Sequence, residues 1–185
     1  MSGVITKRRF TADEYHRMGE AGILRREDRV ELIDGEVVAM SPIGRDHNSC
    51  VTRTMTLLVR AVDDDAIVQC QGPVRLSSYD EPQPDIVLLK PRSDYYRNQL
   101  PGVDDVLLVV EITDSSIAYD RGIKSRMYAR FAIPEYWVAD VNGEVVLRFT
   151  DPTPDGYRTM EEYRRGQSLA PALLPECVLD ADVLL

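Results

Sequence analysis

Two acidic residues stand where a buried strand tolerates none, and no other feature narrows the possible folds so far. Val106-Leu-Leu-Val-Val110 is an unbroken apolar run that meets Glu111, and Asp85 opens the run Ile86-Val-Leu-Leu89. Continuous apolar runs of this kind read as central strands covered on both faces, because a half-exposed strand would alternate. An isolated carboxylate in such a place is costly and must find a cation, a metal or a proton. If the two strands pair antiparallel, the start of one lies beside the end of the other. Asp85 and Glu111 then converge at one end of the sheet, where they repel unless a divalent cation sits between them.

The neighbouring segments supply the rest of an α/β fold, of mixed α+β type. Thr11 followed by Glu14 is a capping box that predicts a helix over about 12–21, stopping near Gly22. Residues 29–40 alternate apolar and polar side chains around Asp34-Gly35, a tight β-hairpin signal. A second helix is predicted over about 46–63, with Val51, Met55, Leu58 and Val62 facing inward. Strand signals follow at 66–70, 74–77, 85–89 and 106–113. A third helix, about 117–132, carries Tyr119, Ile123, Met127 and Phe131 at four-residue spacing and is blocked by Pro134. Strands at 136–140 and 144–149 form another hairpin through Asn142-Gly143, and the tail, including the Val178–Leu185 run, reads as edge strands. Strand 106–113, helix 117–132 and strand 136–140 make a βαβ unit. The first hairpin is expected to feed the same sheet. The reading is therefore a central mixed sheet flanked by helices, with N-terminal and C-terminal β-hairpins. Residues 91–105 have no periodicity, and unstructured loops of that length are often functional.

The 185 residues fit one domain spanning 1–185. No apolar run approaches the ~20 residues of a bilayer span, and Met1 to Thr6 lack the apolar stretch of a signal peptide. Cys50, Cys70 and Cys177 are odd in number and widely spaced, which points to reduced thiols and a cytoplasmic setting rather than a disulfide framework or zinc site. A net charge of −9 counts against a general nucleic-acid binder. The balance is uneven, however: Arg121, Lys124, Arg126 and Arg130 fall within ten residues that hold no acid.

Several side chains could complete a site around Asp85 and Glu111. Lys124 lies one helical turn from Asp120 and from Tyr128, on a helix that leaves the end of the Glu111 strand, so it can reach back toward Glu111. Its plainer reading is an exposed helix lysine in an i, i+4 pair with Asp120. Glu31, in the first hairpin, is either a fourth group of the site or a solvent-face residue. His47 begins the second helix and could approach the site, although a first-turn surface histidine is the commoner case; His16 reads as surface. Tyr95 and Tyr96, in the irregular loop, could stack on bases or cover the core. Arg121 and Tyr128 complete the set of possible substrate contacts. Asp63-Asp64-Asp65 is a solvated helix end rather than a calcium loop. Trp137 reads as core. No Gly-rich phosphate loop, GxSxG elbow or HExxH is present, which removes nucleoside-triphosphatase, serine-hydrolase and zincin readings.

Taken in order, Glu31-Leu-Ile-Asp-Gly-Glu36, Pro84-Asp85, Val110-Glu111-Ile-Thr113, Lys124 with Tyr128, and Pro134-Glu-Tyr-Trp137 resemble the Uma-two family of restriction endonucleases, within the PD-(D/E)XK nuclease superfamily. The likeness spans roughly residues 10–180. It implies a restriction-endonuclease-like fold and an endonuclease that hydrolyses DNA phosphodiester bonds with Mg²⁺ or Mn²⁺. The metal would be held by Asp85, Glu111 and the main-chain carbonyl of Ile112. Lys124 would position or polarise the attacking water, and Glu31 would support the metal or its waters. One departure is plain: the position two after Glu111, where the superfamily often has lysine, is Thr113, so the resemblance places the lysine on the helix at Lys124. One small domain offers a short footprint, so DNA bound by a homodimer is the expected partner arrangement. Two other functions compete. The same fold could be a catalytically degenerate protein- or DNA-interaction module whose charged cluster is only structural, or an enzyme for small phosphorylated substrates, which suits an acidic exterior.

Overall fold

The two apolar runs fold as the middle of the sheet because every side chain on them has something apolar to bury against. In the computed structural model, which describes residues 6–42 and 44–185, β4 (Ile86–Leu89) and β5 (Val106–Thr113) are buried along their whole length. Successive strand residues point to opposite faces. Ile86, Leu88, Leu108 and Val110 accordingly join one core layer, while Val87, Leu89 and Val109 join the other. The helix α2 (Arg45–Val62) covers the first layer through Val51, Leu58 and Val62, with Met55 partly buried against it. The helical segment after β5 covers the second through Met127 and Tyr128.

The sheet has six strands in the order β3-β4-β5-β6-β7-β8. β3 (Ile67–Cys70) and β5 flank β4 antiparallel, and β5 runs parallel to β6 (Glu135–Asp140), the βαβ unit expected from the sequence. β7 (Val145–Thr153) and β8 (Gly156–Tyr163) continue antiparallel to the edge. The tail adds a short separate pair, β9 (Ser168–Leu169) with β10 (Leu179–Asp180), and ends in a single 3₁₀ turn, Ala181–Val183. Helix α1 (Ala12–Glu20) begins at the capping box of Thr11 and Glu14. No helix among the described residues is long and apolar enough to cross a membrane. Residues 1–5, on which the absence of an apolar leader was read, lie outside the described residues.

Three expectations change. The first hairpin, β1 (Val30–Ile33) and β2 (Glu36–Ala39), forms its own two-stranded sheet, and it docks on the rest through Ile33 in the second core layer and an isolated bridge between Leu32 and Glu81. Its pattern fixed the pairing but not the neighbour, because an amphipathic hairpin can bury its face on any apolar surface. Residues 74–77 are not a strand. Their amides go to Pro82, Pro101 and Asp80 carbonyls, and only Arg75 makes an isolated bridge, to Gly102.

The third helix is interrupted as well. α3 (Ile117–Tyr119) passes through a π-turn (Asp120–Lys124) into α4 (Ser125–Arg130). The wider turn rotates the buried stripe, so that Asp120, Lys124 and Tyr128 are inside while Ile123 is 48% exposed. Such π-bulges often mark functional sites.

Candidate active site

The β4–β5 register decides the geometry. Ile86 pairs with Val110, so Asp85 lies opposite Glu111 at one end of both strands. Each carboxylate then reaches the other strand's backbone. The Ile112 amide donates to Asp85 Oδ2 at 2.9 Å, and the Asp85 amide lies 3.4 Å from Glu111 Oε2. Both side chains are buried, and both line the floor of a cleft of about 770 Å³.

The π-turn delivers the cation. Lys124 Nζ donates to Glu111 Oε1 at 2.9 Å and lies 3.2 Å from Glu31 Oε1. Tyr128 also donates to Glu111 Oε1, at 3.2 Å, and Glu31 Oε2 accepts the Gln83 amide at 3.2 Å. The expected i, i+4 pairing of Lys124 with Asp120 gives way to this arrangement. Asp120 is buried and accepts the Ser116 hydroxyl at 2.6 Å. Thr113, at the position where the superfamily often has lysine, accepts the Ser116 amide at 3.0 Å and so anchors the start of the helical segment.

His47 is not on the surface. Its Nε2 lies 3.0 Å from Asp85 Oδ2 with the side chain 13% exposed, and the bond to Asp85 raises the imidazole pKa against the effect of burial. His16 remains exposed but reaches the cleft, and it pairs with the buried Glu81 at 2.6 Å. Glu81 and Asp80 are buried acids that sequence reasoning passed over, since both fall in an irregular Ser/Asp/Pro segment without strand pattern.

The remaining candidates lie elsewhere. Tyr95 is exposed and Tyr96 is buried, with its hydroxyl on the Lys90 carbonyl at 2.8 Å. Lys90 follows the far end of β4 from Asp85. A strand rises about 3.3 Å per residue, which keeps this loop well away from the acid pair. Arg121 is exposed and does not line the cleft, whereas Tyr128 is buried beneath it.

Electrostatically the site is short of positive charge. Asp85, Glu111, Glu31 and Asp120 are all buried around one lysine. Burial pushes the Glu111 carboxyl up to about 8 against the pull of Lys124, with Asp85 adding to the rise. Burial opposes the charge on Lys124, but Glu111, Glu31 and Asp120 together outweigh it and raise its pKa. Burial likewise raises Asp120, and pushes the Tyr119 hydroxyl up to about 12.

The donor set fits a divalent cation that keeps part of its water. Among the described residues no group of three or more His, Cys, Asp or Glu side chains forms a metal cage. The two central carboxylates are nonetheless only half used. Glu111 Oε1 takes Lys124 and Tyr128, and Asp85 Oδ2 takes Ile112 and His47; the other oxygen of each has a single contact at 3.4 Å. Mg²⁺ and Mn²⁺ suit two hard oxygens supplemented by main chain and water. Beside the cleft, His47 Nδ1 and the Tyr119 hydroxyl are buried without a partner among the described residues, two polar atoms that a bound water or ion could engage.

The family model for Uma2, described as "putative restriction endonuclease", matches residues 12–182. A crystal structure of "a putative nuclease" from Anabaena variabilis is similar at a TM-score of 0.73 and 15% identity, over 95% of this chain and 97% of that one. At that identity the likeness shows the fold alone. No curated protein matches.

Proposed function

This chain belongs to the Uma2 family, and on that premise we propose that it is a nuclease hydrolysing DNA phosphodiester bonds with a divalent metal, Mg²⁺ or Mn²⁺. Asp85, Glu111 and the main-chain carbonyl of Ile112 would hold the ion. The observation that carries the reading is the pair of half-engaged carboxylates at the cleft floor, each with one oxygen fixed and one left to a 3.4 Å contact.

Bound there, the metal would polarise the phosphodiester and lower the pKa of a water. The protein supplies the rest. Tyr128 and Lys124 fix one oxygen of Glu111, and His47 fixes one of Asp85, so both carboxylates are oriented before any ligand arrives. Glu31 holds Lys124 from the other side. The ammonium is thereby set in place as a preorganised positive charge for the attacking water and the transition state, an effect worth about 10²–10³ in rate for one such group. Ser116 and Thr113 keep the turn that carries Lys124 docked on the end of β5.

The reading extends to a homodimer, because one domain covers a short stretch of DNA, and to a cytoplasmic setting, consistent with three free thiols. A second reading, a catalytically degenerate interaction module, is favoured by the closed bonding of Lys124 between Glu31 and Glu111. Plasmid and short-oligonucleotide cleavage with and without Mn²⁺, run beside Asp85→Ala and Lys124→Ala, separates the two. Metal-dependent nicking lost in both variants supports the nuclease. Calorimetric Mn²⁺ binding without cleavage supports the module.

A further inference from the structure

We infer that the strand entering this cleft is unpaired DNA rather than an intact duplex. The inference rests on the nuclease reading above and goes beyond it by naming the substrate's form.

The first observation is depth. Asp85 and Glu111 are 8% and 5% exposed and lie between two walls. One wall carries Tyr15 and Leu24 from the N-terminal segment together with Val38 and Met40 from the hairpin. The other carries Ser115, Ser116 and Tyr119 from the β5–α3 junction. The cleft volume of about 770 Å³ falls in the ~300–1,000 Å³ range of pockets that take a small molecule, room enough for an unpaired nucleotide. A phosphate on a double helix stays attached to a stiff, wide body, whereas an unpaired nucleotide can enter a pocket alone.

The second observation is charge. Among the described cleft-lining residues the lysines and arginines are Arg25, Arg29 and Lys124, and the carboxylates Glu31, Asp85, Glu111, Asp114 and Asp120 outnumber them. The whole chain carries −9. Duplex DNA presents about one negative charge per 1.7 Å of axis, twice that of a single strand, and its binding depends on neutralising many phosphates. The cleft offers few cations for that, whereas Arg25 and Arg29 beside it can meet a few phosphates of one strand. The third observation is the apolar wall of Tyr15, Leu24, Val38 and Met40, against which an unpaired base can pack; bases in a duplex are already stacked on each other.

The test compares initial cleavage rates in Mn²⁺ for one labelled oligonucleotide in three forms: single-stranded, fully paired, and paired with an unpaired tail. The expected result is cleavage of the single strand and of the tail on the order of 100-fold faster than of the paired region, the scale of an avoided unpairing cost. Arg25→Ala should raise KM for the single strand with kcat unchanged, and lower the salt slope of its binding by about 0.7. Equal rates on paired and unpaired DNA, or a preference for the duplex, overturn the inference and leave the nuclease reading standing. Turnover of a small phosphodiester with no cleavage of any oligonucleotide also overturns it. Absence of all cleavage, with calorimetric Mn²⁺ binding intact, brings down the nuclease reading and this inference together.

Discussion

Replacing Lys124 with methionine removes the cation bonded to the buried Glu31 and Glu111 and leaves a side chain of similar reach. Glu31 and Glu111 are 1% and 5% exposed, and the lysine is bonded to both, at 3.2 and 2.9 Å. Leaving buried charges uncompensated costs about 3–5 kcal/mol. Burial already raises the Glu111 carboxyl against the pull of Lys124, so without the lysine it takes up a proton more readily, which limits the loss. For a chain of this size each kcal/mol moves Tm by about 2–4 °C, so a fall of roughly 6–20 °C is expected in thermal denaturation with EDTA present. Adding Glu31→Gln should recover part of it, because one of the two abandoned carboxylates becomes neutral. Mn²⁺ should then stabilise Lys124→Met more than the wild type, since the floor has become more negative; at 100 times Kd the binding term is about 2.7 kcal/mol. A Tm within 2 °C of wild type would refute the account of a charge-starved floor. A normal fall in Tm with no Mn²⁺ response in either protein would refute the metal site while sparing the ion network.

Asp85→Asn should abolish the Mn²⁺-induced rise in Tm and lower any cleavage rate by at least about 100-fold, read in parallel melting and nicking assays. Leu108→Ala, at the fully buried centre of β5, should cost about 2–5 kcal/mol in urea unfolding without altering Mn²⁺ binding per folded molecule. Gly35→Ala should destabilise by more than 1 kcal/mol, because Gly35 has φ +73° and an added Cβ would come within 2.7 Å of the Arg9 Cβ. In thiol labelling of the native protein, Cys70 should react first and more quickly as pH rises, because it is exposed although burial raises its pKa. The buried Cys50 and Cys177 should need unfolding.

Local chemistry was enough to read most of the elements. The apolar runs at 86–89 and 106–110 could be central strands because hydrophobicity on successive residues pays off only when both faces are covered. Thr11 with Glu14 marked the start of α1, and Asp34-Gly35, with φ of +52° and +73°, marked the hairpin turn. Asp85 and Glu111 were conspicuous for the same reason: an acid ending a buried strand needs a partner.

The identity of that partner depended on contacts between segments distant in sequence. Nothing near Glu31 announces that its carboxylate meets Lys124, because its neighbour in space is set by how an independent hairpin docks. His47 reaches Asp85 across 38 residues, and its first-turn position alone favoured solvent. The π-turn escaped a pattern reading based on 3.6 residues per turn, and that added half-step exposed Ile123 and turned Lys124 inward. Periodicity records what one segment requires of its surroundings. Register, docking and helix rotation decide which distant segment meets that requirement, and they are fixed only when the whole core packs at once.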